Sequence, residues 1–179
     1  MDRKALALLL ALTVSGCVEP VARMNTHFVG SDFVTPRRIL VVPAFEPDVP
    51  AINQAFRKEM KTRLSQCGVD SEFSYKSADK LEQQQMNVAI EKFNPDAMIS
   101  ITQESREIVP MTDNLMLRYK IRWAMESTDA FRPLWHGDGL FFRSRVTNAA
   151  EDVGRKWADD FVDQMIDKTI LLGCHGGVG

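Results

Sequence analysis

Residues 115–127 (LMLRYKIRWAMES) alternate between apolar and polar side chains along their whole length. A period of two is the spacing of a β-strand with one buried and one exposed face. The run LWHGDGLFFRSRV (134–146) follows after the turn sequence DAFRP, so the two runs predict an antiparallel hairpin. The side chains predicted to face the core are Leu115, Leu117, Tyr119, Ile121, Trp123 and Met125. Any fold of this chain has to include that hairpin with one face covered.

The first half of the chain predicts strands that alternate with helices. Strands are expected at 37–45, 69–75 and 96–105, with a helix from Ala51 and another after Ser77 or Asp79. A last helix is expected from about Asn148 to Leu172. The order β-α-β-α-β-β-β-α predicts an α/β fold, in which helices pack on a mixed five-stranded sheet.

Length and charge narrow the class of protein. The chain has 179 residues, 45% of them hydrophobic, which suits one compact domain with its own core. The formal net charge of −2 argues against nucleic-acid binding, which normally needs a strongly basic patch. No apolar stretch reaches the roughly 18 residues that a membrane-spanning helix needs.

The N-terminal sequence is typical of a targeting segment. Arg3 and Lys4 precede ten uncharged apolar residues (5–14), and the small residues Ser15 and Gly16 then precede Cys17. The sequence Val-Ser-Gly-Cys resembles the lipobox of bacterial lipoprotein precursors. The alternative is a buried N-terminal helix that ends in a chance cysteine.

The lipobox resemblance implies how the chain is divided and where it works. Residues 1–16 would be a signal peptide, Cys17 would carry fatty acyl chains such as palmitate, and 17–37 would be a tether. The alternative for part of this tether is an edge strand, since HFVGSDFV (27–34) has aromatic and β-branched residues. The periplasmic domain would span 38–174, with a flexible tail at 175–179. Because Val18 rather than Asp follows the cysteine, the resemblance favours the periplasmic side of the outer membrane over the inner membrane.

If Cys17 is lipidated, Cys67 and Cys174 are the two cysteines that can form a disulfide, and each lies near the end of a predicted helix. An oxidising periplasm permits a disulfide, and parallel neighbouring helices would bring the pair together. A free buried thiol is the alternative, and a nucleophilic cysteine paired with His175 is a weaker one.

Basic side chains mark the candidate binding surface. Arg118, Lys120 and Arg122 share one face of the alternating strand, and Arg143 and Arg145 lie on its neighbour. They predict a docking stripe for an acidic protein partner, for peptidoglycan carboxylates or for anionic headgroups. The alternative is a solvated sheet face whose charges are balanced by acidic residues.

Catalytic and metal sites are not indicated. His136 and Asp138 are the one candidate general-base pair, but such a pair is more often an ordinary sheet residue with a nearby carboxylate. The glycines of HGDG predict a bulge or close packing. The histidines lack a metal-binding spacing, so we expect no metal, no cofactor and no enzyme.

The mature domain resembles a group of envelope lipoproteins over residues 37–172. Its RRILVVPAF strand, two helix–strand units, LWHGDG hairpin and terminal amphipathic helix are similar to the N-terminal domain of the periplasmic translocation protein TolB. Lipoproteins that activate peptidoglycan synthases and the curli secretion lipoprotein share this plan. The resemblance implies a non-enzymatic accessory module that binds a protein of an envelope assembly. A self-assembling structural or secretion component and a cell-wall or lipid hydrolase are the alternatives.

Overall fold

The computed structural model describes residues 22–28, 34–44, 50–74, 80–111, 114–144 and 149–174. These residues form six strands, three α-helices and one short 3₁₀ turn. In chain order they are β1 (Ala22–Phe28), β2 (Arg38–Ala44), α1 (Pro50–Gln66), β3 (Asp70–Phe73), α2 (Lys80–Phe93), β4 (Ala97–Met111), β5 (Asn114–Ser127), β6 (Pro133–Ser144), α3 (Ala150–Asp167) and the 3₁₀ turn Leu172–Cys174. The sequence prediction of three helices and the β5–β6 hairpin is confirmed.

The strands form one mixed sheet in the order β1-β6-β5-β4-β2-β3. Strand β2 pairs in parallel with β3 and β4, whereas β4, β5, β6 and β1 are successively antiparallel. The mixed α/β architecture is therefore as predicted, but the sheet has six strands instead of five.

The additional strand comes from the segment that the sequence assigned to a tether. Residues 22–28 pair with β6 from Ala22 opposite Phe141 to Phe28 opposite Trp135. An edge strand has one neighbour, and Met24 of β1 packs only partly against the core. Its sequence therefore carries little apolar periodicity, which explains why the pattern predicted a tether.

Helices α1 and α3 lie side by side and parallel on one face of the sheet. Gly154 near the start of α3 lies so close to α1 that an added Cβ would be 2.3 Å from the carbonyl oxygen of Ile52. Arg63 near the end of α1 donates hydrogen bonds to Asp159 (2.7 Å) and Asp163 (2.6 Å) of α3. The buried residues that face the sheet are Ile52, Phe56, Met60 and Leu64 in α1 and Val153, Trp157, Phe161 and Met165 in α3.

A disulfide between Cys67 and Cys174 joins the ends of this helical layer, with a Cα–Cα distance of 4.5 Å. The sequence identified these two cysteines as a candidate pair. Helix α3 itself ends at Asp167, before the predicted Leu172, and the chain reaches Cys174 through Thr169, which has a φ of 58°.

The core between helices and sheet is aromatic. Trp123, Trp135 and Phe161 form a cluster with ring centroids 5.2 to 5.5 Å apart. Trp157 contacts both Tyr119 (5.4 Å) and Phe141 (5.1 Å) in edge-to-face geometry. The predicted buried face of β5 is confirmed from Leu117 to Met125, but Leu115 is 44% exposed because it lies beyond the helical layer.

Helix α2 contacts β2 on the opposite face of the sheet. Leu40 and Val42 of β2 are buried there, and Arg38 lies 6.0 Å from the ring centroid of Phe93. Val88 of this helix is apolar but 61% exposed.

Candidate functional site

The face of the sheet opposite α1 and α3 carries a group of charged side chains on β4 and β5. We call Glu104, Glu107, Arg118, Lys120 and Arg122 the charged face. The three cations lie on β5 at alternate positions, opposite to the buried Leu117, Tyr119 and Ile121, as the alternating sequence predicts. Their side chains are 39 to 67% exposed, so solvent and binding partners reach them.

A β-bulge in β4 supplies the acidic centre of this face. The register with β5 shifts between Gln103 and Ser105, so Glu104 is the extra residue. Its carboxylate contacts Lys120 (Oε2 to Nζ, 2.9 Å) and also Arg122. One bulged glutamate therefore bridges two of the three cations.

The charges of the face are paired locally. A hydrogen bond from Lys120 to Glu104, reinforced by the positive charge of Arg122, lowers the pKa of the Glu104 carboxyl below its usual value. Arg118 forms an ion pair with Glu107, which lies directly opposite on β4. The alternative interpretation of the sequence, a sheet face whose cations are balanced by acidic residues, thus describes the electrostatics of β4 and β5. The docking role of the stripe stays a prediction.

Arg143 does not belong to the charged face. It lies opposite Leu117 on β6, and it has the same strand parity as the buried Trp135 and Phe141. The expectation that it extends the stripe on β5 is corrected, because an odd-numbered position of β6 faces the helices. Arg145 lies outside the described residues.

His136 and Asp138 lie on the same face of β6 as the charged face. Asp138 is opposite Arg122 on one side and Asn25 of β1 on the other. His136 is opposite His27, with the two ring centroids 5.4 Å apart. His136 is exposed and Asp138 is partly exposed in this part of the structure.

The glycines of HGDG serve close packing, one of the two roles that the sequence predicted. An added Cβ on Gly137 would lie 2.4 Å from the carbonyl oxygen of Asn25 and 2.5 Å from the ring of Trp123. Gly137 thus lets the indole lie against the backbone of β6, which fixes the core side of the strand that carries His136 and Asp138.

Neither a metal site nor a membrane span is found among the described residues. No group of three or more His, Cys, Asp or Glu side chains is positioned to hold a metal ion in this part of the chain. None of the helices described is both long and apolar enough to cross a membrane. Cys17, His175 and the predicted signal peptide lie outside the described ranges.

Sequence comparison identifies no relatives: no protein-family model matches the chain, and no curated protein matches it. Solved structures do share its fold. A variant of PelC, a dodecamer from Paraburkholderia phytofirmans, has 12% sequence identity and a TM-score of 0.50, with 75% of this chain and 90% of that chain covered. At this identity the similarity shows the fold alone.

Two further structures are described as lipoproteins. Lipoprotein GNA1162 from Neisseria meningitidis has 16% identity and a TM-score of 0.48, with 74% of this chain and 99% of that chain covered. A minor lipoprotein from Acinetobacter baumannii has 9% identity and a TM-score of 0.39, with 74% and 94% covered.

Sequence reasoning missed the acidic half of the charged face, and it placed the alternative edge strand at 27–34, later in the chain than β1. Glu104 is invisible to a periodicity argument because the bulge changes the period at that residue. The pairing of Glu107 with Arg118 could in principle have been predicted, because a longer β4 places the two residues opposite each other in the antiparallel register. Strand β4 extends to Met111 rather than the predicted residue 105.

Proposed function

We propose that this chain is a bacterial lipoprotein, anchored through Cys17 at the periplasmic side of the outer membrane, whose domain binds a protein of an envelope assembly without catalysing a reaction. The observation that carries the proposal is the order of the N-terminal features. Basic Arg3 and Lys4, the apolar run 5–14 and the sequence Val-Ser-Gly-Cys ending at Cys17 follow one another as in lipoprotein precursors. The Cys67–Cys174 disulfide supports an oxidising compartment.

The anchor is tested by replacing its attachment atom. Cys17→Ser should abolish metabolic labelling by a clickable fatty acid and should release the protein from the membrane fraction, because a hydroxyl does not accept the diacylglyceryl group. Cys67→Ser is the matched control, since it removes a different thiol and should leave the labelling intact. Labelling that persists in Cys17→Ser would contradict the proposal.

The partner-binding part of the proposal rests on the charged face. Its cations are exposed, its acidic groups form ion pairs with them, and β4 and β5 hold all five side chains on a rigid sheet. A partner surface with complementary alternating charges would exchange these local pairs for intermolecular ones, which favours specificity and orientation more than raw affinity. A protein surface offers such a pattern, whereas the carboxylates of peptidoglycan satisfy only the cations.

A crosslinking experiment in cells tests this surface. A photo-reactive residue placed next to the charged face should capture an envelope protein, and Lys120→Glu with Arg122→Glu should reduce the yield of that product strongly. Lys61→Glu is the control, because Lys61 is an equally exposed cation with its own carboxylate partner, Glu72, at 3.2 Å. Equal losses from both variants, or no loss from either, would refute a docking role for this face.

Self-assembly is the second candidate function. Strands β1 and β3 are the two edges of the sheet in the described structure, and edge strands can pair with other chains. The PelC variant of similar fold is a dodecamer. If the chain assembles, size-exclusion chromatography with light scattering on a soluble Cys17→Ser form will give a defined multiple of the monomer mass. A monomer at high concentration rules this candidate out.

A further inference from the structure

The end of the β4–β5 hairpin is apolar on both of its faces. Ile108 is 58% exposed and Leu115 is 44% exposed on the face that continues the core. Pro110, opposite Leu115, is exposed on that face too. On the other face Val109 pairs with Met116, and both are half-buried. We call these five residues the hairpin tip.

A soluble hairpin normally has one polar face, so two apolar faces indicate an apolar neighbour. The core face of the sheet extends past the helices here: Leu117 is 1% exposed, and the next residue on the same face, Leu115, is 44% exposed. The hairpin tip therefore presents apolar side chains that the described helices do not cover.

The direction of β1 places the N-terminal chain at the same end of the sheet. Because β1 is antiparallel to β6, Ala22 lies opposite Phe141, and Phe141 lies opposite Tyr119 of β5. From Tyr119, β5 extends backwards through Leu117 and Leu115 towards the tip. The chain that precedes Ala22 thus enters the sheet from the side of the hairpin tip.

The chain from Cys17 to Ala22 and the part of β5 from Tyr119 back to Asn114 have similar lengths. Ala22 is five positions after Cys17, and at most 3.3–3.6 Å per residue this chain reaches about 17 Å. Tyr119 is likewise five positions after Asn114, the start of β5, which at about 3.4 Å per residue is again about 17 Å. A lipid on Cys17 therefore holds the membrane no farther from Ala22 than the hairpin itself extends.

We propose that the hairpin tip inserts into the surface of the bilayer that holds the lipid on Cys17, so that the domain has two membrane contacts and a fixed orientation. The inference rests on the proposed lipidation. The short anchor chain and the apolar hairpin reach the same level. The bilayer is therefore the surface that both contact. The ion pair nearest the tip, Arg118 and Glu107, is internally neutralised, and Asp113 between the two strands adds a negative charge, so insertion depends on apolar burial and not on anionic lipids.

Fluorescent labels on the acylated full-length protein test this insertion. Cys17 is acylated and Cys67 is bonded to Cys174, so Leu115→Cys, Ile108→Cys and Phe131→Cys each add one reactive thiol. Phe131 is 73% exposed in the turn at the opposite end of β5, which makes it the matched apolar control. Each variant is labelled with an environment-sensitive dye and reconstituted into phosphatidylcholine vesicles, with folding checked by circular dichroism.

The expected result is a blue-shifted emission at residues 108 and 115, with several-fold less quenching by aqueous iodide than at residue 131. If mass spectrometry shows acylation but all three labels remain equally accessible to iodide, the inference is wrong and the proposed anchor stands. If Cys17 is not acylated, both are wrong. The two tip positions lie on different strands, so one variant that fails to fold leaves the other as the readout.

A longer anchor chain separates insertion from simple closeness to the membrane. A Gly/Ser linker of about twelve residues between Val21 and Ala22 adds roughly 20 Å of average reach. Labels at 108 and 115 that stay protected with this linker show that the tip binds the bilayer by itself. Labels that become accessible show that the short chain merely held the domain close, which overturns the proposal.

Discussion

Gly137 of β6 has no space for a side chain. An added Cβ would lie 2.4 Å from a backbone oxygen of Asn25 and 2.5 Å from the ring of Trp123, whose side chain is 1% exposed. Neither neighbour can move without disturbing the β1–β6 pairing or the aromatic core. We expect Gly137→Ala to lower the free energy of unfolding by about 1–3 kcal/mol, measured by urea denaturation.

Gly139 provides the graded control for that substitution. An added Cβ there would lie 3.0 Å from the backbone oxygen of Arg23 and 3.2 Å from the flexible side chain of Met24. Gly139→Ala should therefore cost less than Gly137→Ala. Equal costs at the two positions would mean that general strand propensity, and not the closer contacts at Gly137, decides the loss.

Asp160 of α3 gives a pH-dependent prediction. Burial raises the pKa of its carboxyl, and Lys156, which forms an ion pair with it, offsets this only in part. A raised folded pKa means that the stability from this group is present at low pH and is lost as the pH rises through that pKa. Asp160→Asn should therefore raise Tm slightly at pH 7, and the gain should vanish at about pH 3, where the carboxyl is protonated in both states.

Asp152 is the control for the charge effect in the same helix. It forms an ion pair with Arg155 at the exposed start of α3, where a negative charge stabilises the helix. Asp152→Asn should give no gain in Tm at pH 7. A gain of the same size in both variants would indicate a general effect of net charge.

At the scale of elements, the disulfide and Arg63 hold α1 and α3 together at their C-terminal halves. Burial alone would lower the pKa of Arg63, but its hydrogen bonds to Asp163 and Asp159 and their charges raise it, so the guanidinium stays charged. The disulfide closes a chain segment with a sequence separation of 107 residues. Cys67→Ser with Cys174→Ser should therefore lower the free energy of unfolding by about 2–4 kcal/mol in urea.

Reduction of the unaltered protein should produce a similar loss of stability. A reductant should have no further effect on the double serine variant, which lacks the bond. If reduced and oxidised protein unfold at the same urea concentration, the disulfide does not stabilise the helical layer.

Elements with many neighbours were predictable from sequence, and elements with few were not. Strand β5 has a strand on each side and a helical layer over one face, so its buried residues from Leu117 to Met125 alternate without a break. The bulge at Glu104 reverses the parity of β4, so a constant period could not place that residue. Strand β1 contributes mainly backbone pairing and Met24, which leaves almost no pattern.

The candidate site was half predictable for the same reason. Arg118, Lys120 and Arg122 share a face because they lie on one regular strand, so their sequence spacing was enough. Their partners lie on another strand, and the pairing depends on a register that the two sequences do not specify separately. Arg143 was misplaced because β6 carries apolar residues at both parities, Leu140 and Phe142 as well as Trp135 and Phe141, so its sequence pattern does not show which face is buried.

At the scale of the whole molecule, the proposed anchor and the charged face have different orientations. The proposed anchor joins the sheet at Ala22, which begins β1 on the side of the hairpin tip, whereas the charged face lies on the flat side of the sheet. A domain held by its strand ends stands with this side perpendicular to the membrane. The charged face then points sideways, towards neighbours in the plane of the membrane, which is where a partner that is itself membrane-bound would be.

This arrangement depends on β1 being part of the domain and not of a tether. A soluble chain that begins at Val34 keeps the hydrogen bonds from the backbone N–H groups of Arg37 and Arg38 to Asp96, but it lacks β1. It should unfold at a lower urea concentration than a chain that begins at Val18, and it should aggregate more, because the edge of β6 becomes unpaired. Urea denaturation and size-exclusion chromatography measure the two effects. Equal stability of the two chains would mean that residues 22–28 act as a tether, and the membrane would then no longer be held at the level of the hairpin tip.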